Sequence, residues 1–339
     1  MRNDTRHLFN TYLERQAQLN SVPDATAKFN VAPSVQQTLE NKIQESSEFL
    51  RSINIIGVDE LKGDKLGLGI SGPIASRTDT TAGDRQTRDL HTIDALGYEC
   101  KQTDYDTHLR YNTIDAWAKF PDFQMRITNA IIQRAALDRM LIGFTGTSAA
   151  VDTNIDANPL LQDVNIGWLE HIRTDANTRV LDDGASVGDN AINVGAGGDY
   201  KNLDALVYDA YQTLLDPWYR NDPGLVAIVG RNLMHDKLFP LVSDPDAPSE
   251  QLAADIVRSQ RRLGGLPAVT VPYFPDGKVL VTRLDNLSIY FQNGARRRVV
   301  IDNPKRNRIE HYESSNDAYV IEDYGMCALV ENITLLPSA

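Results

Sequence analysis

Apolar residues recur at three- and four-residue steps over Asn3–Leu19, where Leu8, Phe9, Tyr12, Leu13 and Ala17 line one face of an amphipathic helix. A polar, proline-bearing break, Ser21–Pro33, follows. Ser34, with Gln37 three residues on, has the spacing of a capping box, and Val35, Leu39, Ile43 and Leu50 carry a second apolar face forward. No strand pattern adjoins these helices, and an isolated amphipathic helix is marginal in water. The pattern therefore predicts an N-terminal arm that leans on a partner surface, with another subunit as the candidate.

From Gly57 to Thr113 the pattern changes. Leu66, Leu68 and Ile70 alternate with glycines and Ile74 follows Pro73, which predicts an extended strand. Arg77–Asp89 is rich in Thr, Asp and Arg and reads as a solvated tip. Tyr98–Tyr111 then returns as a strand with Tyr105, Thr107, Leu109 and Tyr111 on one face. Strand, polar tip and strand make a protruding hairpin; a strand the length of Leu66–Ala75 spans roughly 30 Å at about 3.3 Å per residue. Two-stranded hairpins are marginal alone, so this one also needs a surface to lie on.

A long helix is predicted next. Pro121 suits its first turn, and Phe123, Ile127, Ala130, Ile131, Leu137, Leu141 and Phe144 keep helical spacing. The small-residue stretch Thr145–Asn158 is the best candidate for a domain boundary. Beyond it the pattern is mixed. Helices are predicted at Leu203–Leu215, Asn232–Phe239 and Glu250–Arg262, with buried strands at Val226–Val229, Ala268–Val271 and Val279–Thr282. The last third predicts longer strands: Leu287–Phe291, Arg297–Ile301, Arg308–Tyr312, Tyr319–Glu322 and Cys327–Ile333. The fold class is α+β, and no internal repeat is visible.

Composition narrows the function. With 339 residues, 42% hydrophobic and 24% charged, the chain can bury a sizeable core as one large domain or two. A formal charge of −12 argues against general nucleic-acid binding. Cys100 and Cys327 stand far apart, without disulfide or zinc spacing, as a reducing cytoplasm would allow. No apolar run approaches the roughly 20 residues that span a bilayer, and the first ten residues lack the apolar core of a secretory signal. The chain reads as a soluble cytoplasmic product.

Candidate chemistry is thin. Gly67-Leu68-Gly69-Ile70-Ser71-Gly72 spells a dinucleotide fingerprint, but Pro73 and a polar loop follow where a phosphate-binding helix must begin. Close backbone approach in a strand explains it better. The six histidines are scattered, the Asp-rich stretches lack calcium-loop residues, and no nucleophile elbow or P-loop occurs. Arg296, Arg297 and Arg298, with Lys305, Arg306 and Arg308, form one basic cluster; a solvated face ranks first, a subunit contact second, nucleic acid third. No cofactor, metal or catalytic set is expected, and the chain does not read as an enzyme.

Several long strings carry a resemblance: RHLFNTYLERQAQLN, VAPSVQQTLENKIQESSEFLRSINI, PIASRTDT, YNTIDAWAKFPDFQMRITNAII, NPLLQDVNIGWLEHIR, DPWYRNDPGLVAIVGRNL, LAADIVRSQRRLGGLPAVTVPYFP and LDNLSIYFQNGARRRV. They run in order to about residue 325, and the chain resembles the major capsid proteins of temperate, contractile-tailed phages of the peduovirus group. The Asp182–Asp199 loop matches least well.

The resemblance implies an HK97-type capsid fold. Residues 1–30 would be an N-terminal segment removed on maturation, 31–56 the N-terminal arm and 57–113 an extended loop. Residues 114–157 and 284–325 would form a peripheral domain with a spine helix at 121–146, and 158–283 with 326–339 an axial domain. It also implies a shell of hexamers and pentamers enclosing double-stranded DNA in the virion, after synthesis in the bacterial cytoplasm. An internal scaffolding protein that acts as protease and a portal protein at one vertex would be its partners, with no membrane involved. Processing is expected in Ser21–Val31, near Phe29 and Asn30. Leu8, Phe9, Tyr12 and Leu13 are the expected scaffold or precursor contacts; Leu39, Ile43 and Phe49 serve the mature arm. Leu66, Leu68 and Ile70 serve the extended loop, and Arg306 and Arg308 meet neighbouring peripheral domains. Two alternatives remain at this point: an encapsulin-type compartment of the same fold, and a soluble α/β enzyme.

Overall fold

The computed structural model describes residues 1–65, 75–81, 84–85, 97–117, 120, 123–185, 188–234 and 262–336. Residues 66–74 of the predicted strand Leu66–Ala75, among them Leu66, Leu68 and Ile70, much of the polar tip, and residues 235–239 and 250–261 of the helices predicted at Asn232–Phe239 and Glu250–Arg262 lie outside the described residues.

Two sheets organise what is described. The first has seven strands: Phe29–Asn30, Arg297–Asn303, Arg308–Ile321, Leu287–Gln292 and Asn54–Val58 in that order, with Lys101–Asp104 and Thr107–Arg110 also paired to the long strand Arg308–Ile321. All its pairs are antiparallel except Leu287–Gln292 with Asn54–Val58, and the register places Val299 opposite Tyr312 and Val300 opposite His311. The two strands predicted at Arg308–Tyr312 and Tyr319–Glu322 are thus one continuous strand. The second sheet has six strands, Arg262–Leu263, Leu266–Val269, Val226–Val229, Val279–Thr282, Ala328–Val330 and Val180–Leu181.

The helix Phe123–Thr145 runs from the first sheet into the main core, where Ile132, Ala135, Ala136, Met140, Ile142 and Phe144 are buried. Trp168, with no exposed surface, anchors the crossing. Its ring meets Phe49, Phe144 and Tyr319 edge-on, and its Nε1–H donates to Ser288 O at 3.0 Å. Gly143 makes this approach feasible, because a Cβ there would lie 2.3 Å from the indole. A second apolar cluster fills the other face of the six-stranded sheet beneath the helix Leu203–Leu214. That helix is capped by Asn202, whose Oδ1 accepts from Ala205 N–H at 2.8 Å.

The arm departs from its sequence reading in three ways. The helix Asn3–Leu19 forms over the predicted span but lies on the first sheet of its own chain, with Phe9 buried against Ile114, Val300 and Ile309. The capping box does not form: Pro33, with its preset φ, starts the second helix (Pro33–Glu45) one residue before Ser34, and no side chain caps it. That helix then stops at Ser46, so Leu50 belongs to a separate turn, Glu48–Ser52. The small-residue stretch after the long helix is also no slack linker; its backbone is pinned to residues 161–163.

Candidate assembly surfaces

The leading segment reaches the sheet by three kinds of contact. Phe9 provides the apolar anchor, and burying such a ring contributes about 1.5–3 kcal/mol. Arg6 pairs with Asp302 at 3.0 Å. Further along, Phe29 and Asn30 pair in register with Arg298 and Arg297, and Val31 N–H donates to Arg296 O at 2.9 Å. This short strand covers the outer edge of the sheet, which would otherwise offer free backbone donors and acceptors.

Behind it lies a buried chain of alternating charges. Arg139, on the long helix and without exposed surface, bonds Glu40 Oε2 at 2.5 Å and Asp317 Oδ2 at 3.2 Å. Arg296 bonds the other Glu40 oxygen and Glu313, each at 2.5 Å, and Arg298 bonds Glu313 at 2.6 Å. Burial alone would raise the pKa of Glu40, but the Arg139 and Arg296 guanidiniums hold it below the usual carboxylate range. Glu313 is likewise held low against its burial by Arg296 and Arg298. The cluster ties together the second helix, the long helix and the first sheet. Beside it His311, facing the Tyr12 ring, is pushed down to about 4 by burial and then by Arg298. A cavity of about 530 Å³ remains between the leading helix, the long helix and the sheet, lined by Leu8, Tyr12, Leu109, Ile131 and His311 among others.

Several expected contact residues are therefore satisfied at home. Phe9, Ile43 and Phe49 are buried within their own chain, and Leu39 packs half-buried against the main core. Tyr12 and Leu13 are half-buried; Leu8 is exposed. The physical reason is that amphipathic spacing specifies an apolar face without specifying whose surface covers it. The basic cluster is also not the solvated face expected, because Arg296 and Arg298 enter the buried charge chain while Arg297 stays exposed. Arg308 is half-buried and pairs with Glu310 at 2.6 Å. Arg306 is exposed on the tight turn Pro304–Arg306, which closes through Asn307 in the left-handed region at φ 51°.

Sequence reasoning missed Glu40, Arg139 and Asp317. The signal was present: Arg139 falls on the stripe of Ile132, Ala135, Ala136 and Met140, and Glu40 on the stripe of Gln36 and Ile43. A charge within a buried stripe requires a buried partner. Both thiols, Cys100 and Cys327, are buried and pushed up to about 12 by that burial, so neither is a nucleophile at neutral pH. Among the described residues no group of His, Cys, Asp and Glu could hold a metal ion, and no helix is long and apolar enough to cross a membrane.

Interlocking strata of this kind, with an arm laid over a sheet and a long helix joining two sheets, have relatives. The profile of the phage major capsid protein family of the P2 type matches residues 8–333. The chain belongs to that family. It is 50% identical to the capsid protein of Escherichia phage P2, over 98% of this chain and 95% of that one. It is 41% identical to the major capsid protein of Serratia phage KSP20, over 98% of each. Among solved structures it matches a chain of the satellite phage P4 procapsid that includes the size determination (Sid) protein, with a TM-score of 0.84, 46% identity and complete coverage of both chains. The P2-family chain is accordingly a structural capsid protein with the HK97-type α+β fold, a component of the virion and not an enzyme. The encapsulin and soluble-enzyme alternatives give way to this reading.

Proposed function

We propose that this capsid protein is the repeating subunit of an icosahedral shell of hexamers and pentamers enclosing double-stranded DNA. Its shell grows around an internal scaffolding protein that also acts as protease, and a portal protein replaces subunits at one vertex. Subunits wait in the host bacterial cytoplasm before assembly. The carrying observation is the likeness along the whole chain to a procapsid subunit. The net charge of −12 is consistent with a wall that does not adhere to its contents.

On this reading residues 114–157 and 284–325, which hold the long helix and the strands Leu287–Gln292, Arg297–Asn303 and Arg308–Ile321 of the first sheet, form the peripheral domain. Residues 158–283 and 326–339 form the axial domain, and 57–113 the extended loop that overlaps a neighbour through Leu66, Leu68 and Ile70. Maturation removes residues up to Phe29–Asn30, a bond that must first leave the sheet edge because Phe29 is buried there. Leu8 is free to meet scaffold at once, whereas Phe9, Tyr12 and Leu13 meet it only if the leading helix lifts. Ile43, Phe49 and Leu39 support the arm from within, and Arg306 faces the neighbouring peripheral domain, with Arg308 behind it.

Deleting 67–94 tests the shell reading. The truncated chain should remain folded and soluble by circular dichroism, yet form no closed particles by negative-stain microscopy when co-expressed with its scaffold. Normal particles from the deletion would remove the extended loop from the mechanism, and a full-length chain that sediments as a monomer at high concentration would remove the shell itself.

A further inference from the structure

Between the long helix and Trp168 the chain forms a loop, residues 147–162, that is tied down along its backbone yet turns apolar side chains outward. Thr147 and Ser148 N–H donate to Gln162 O at 2.7 and 3.1 Å, and Ala150 N–H donates to Asp163 O at 2.8 Å. Asp163, itself buried, accepts from Asn154 N–H at 2.7 Å and from Asn158 Nδ2–H at 3.1 Å. Asn154 Oδ1 in turn accepts from Asp156 and Ala157 N–H at 3.0 and 3.1 Å. On this frame Val151 is wholly exposed and Ile155 is 66% exposed. A single exposed apolar residue needs no explanation. Three on one pinned loop, with Leu160 also exposed, present a prepaid surface, because the ordering cost that normally opposes binding has already been met in folding. No lysine or arginine lies between Arg139 and Arg173, and the exposed charges on the loop are Asp152 and Asp156. The loop is therefore an apolar tongue with acidic flanks.

A surface of the opposite character lies on the first sheet, on the face away from the leading helix. Register puts Val299 beside Tyr312, Ile301 beside Glu310, and Glu310 beside His108 on that face. Ile301 is 40% and Tyr312 39% exposed. Glu310 is neutralised by Arg308 and accepts from the Tyr312 hydroxyl at 2.8 Å. Arg110 and Arg297 are exposed at its margins, in no ion pair among the described residues. This face is apolar at its centre, with Arg110 and Arg297 on its flanks and the Asp106 carboxylate near Tyr312.

A subunit of a closed ring needs two different surfaces that mate head to tail, since each copy must give one and receive the other. Val151 is wholly exposed, so nothing in its own chain covers it. We propose that the 147–162 loop of one copy seats Val151 and Ile155 on the Ile301–Tyr312 face of a second copy, with Asp152 and Asp156 directed at Arg110 and Arg297. This contact rests on the shell reading above and adds to it a specific pair of mating surfaces.

The test uses the full chain carrying Val151→Cys, in which the two native thiols are buried and leave position 151 as the reactive one. Maleimide labelling of that position should be at least about ten-fold slower in closed shells than in free subunits, as burial at an interface core requires. A photoreactive maleimide placed there should cross-link to a peptide spanning 297–312 of another copy. Shells that label as fast as free subunits overturn the contact while leaving the shell reading intact. Protection with cross-links to another surface, or to a different protein, overturns the proposed partner face. An unsubstituted chain that forms no shells overturns both. As an independent arm, Asp152→Lys with Asp156→Lys should slow assembly without lowering the subunit's melting temperature, and adding Arg110→Glu with Arg297→Glu should restore it. Failure of that rescue, with each variant folded, also overturns the pairing.

Discussion

The two sheets of this capsid protein both pack on apolar cores, but they differ in how much charge they bury. In the six-stranded sheet Ile228, Val229, Val279, Leu280, Val281, Leu329 and Val330 have no exposed surface, and aliphatic packing covers both faces. In the seven-stranded sheet the junction with the long helix passes through Arg139, Glu40, Asp317, Arg296, Glu313 and Arg298, and a cavity of about 530 Å³ lies alongside. Apolar burial is non-directional and indifferent to pH. Buried ion pairs require fixed geometry and particular protonation states. The first sheet thus holds more of the stability that answers to geometry and acid, while the second has an acid-sensitive margin at Glu331, paired with Arg173 and Lys278.

Breaking the charge chain should give the largest effect. Arg139→Met leaves the Glu40 and Asp317 carboxylates buried without their cation and should cost about 3–5 kcal/mol in denaturant unfolding. A cost below about 1 kcal/mol would erase the contrast between the sheets. In the six-stranded sheet, Leu280→Ala should cost about 2–5 kcal/mol by leaving a cavity, and this loss should be the same at pH 5 and pH 8.

Acid sharpens the comparison further. The folded pKa of His311 is about 4 against an ordinary 6.5, so between those values the unfolded chain binds the extra proton and stability falls as pH drops from about 6.5 to about 4. His311→Phe should flatten that limb of the stability–pH curve by at most roughly 3 kcal/mol. The lowered Glu40 and Glu313 act in the same direction but further down, their contribution present above ordinary carboxylate values and lost as pH falls through their folded ones. An unchanged curve in the His311 variant would show that its ring is not held neutral. The smallest effect belongs to Arg308→Ala: the pair is half-buried, but Glu310 keeps its bonds from Tyr312 and Asn303, so unfolding stability should fall by about 1 kcal/mol, although assembly would respond if it meets a neighbour.

What was legible in the sequence follows the same division. The strands Val226–Val229 and Val279–Thr282 form over the spans their apolar runs predict, and the leading helix over the span of its periodicity. The pattern predicts two strands where the single strand Arg308–Ile321 runs, because Ser314–Asp317 is polar and such residues are depleted in strands. Here partners restore them: Asn316 donates to Gln292 Oε1 at 2.8 Å, Ser315 to Asp317 at 3.0 Å, and Asp317 accepts from Arg139. Partners from distant parts of the chain cannot be read from local pattern. The same limit applied to the arm, whose apolar face was plain while the identity of its cover was not.

The edge strand Phe29–Asn30 and the helix before it are consecutive on the chain, upstream of Val31. While the backbone is intact they return to the sheet as a tethered pair, at the effective concentration of a short linker, on the order of millimolar. A single scission at the proposed Phe29–Asn30 bond would convert that return into a meeting between separate molecules. In dilute surroundings the freed peptide would drift off and the exposed margin would stay bare, so cutting there would act as a ratchet that needs no lock.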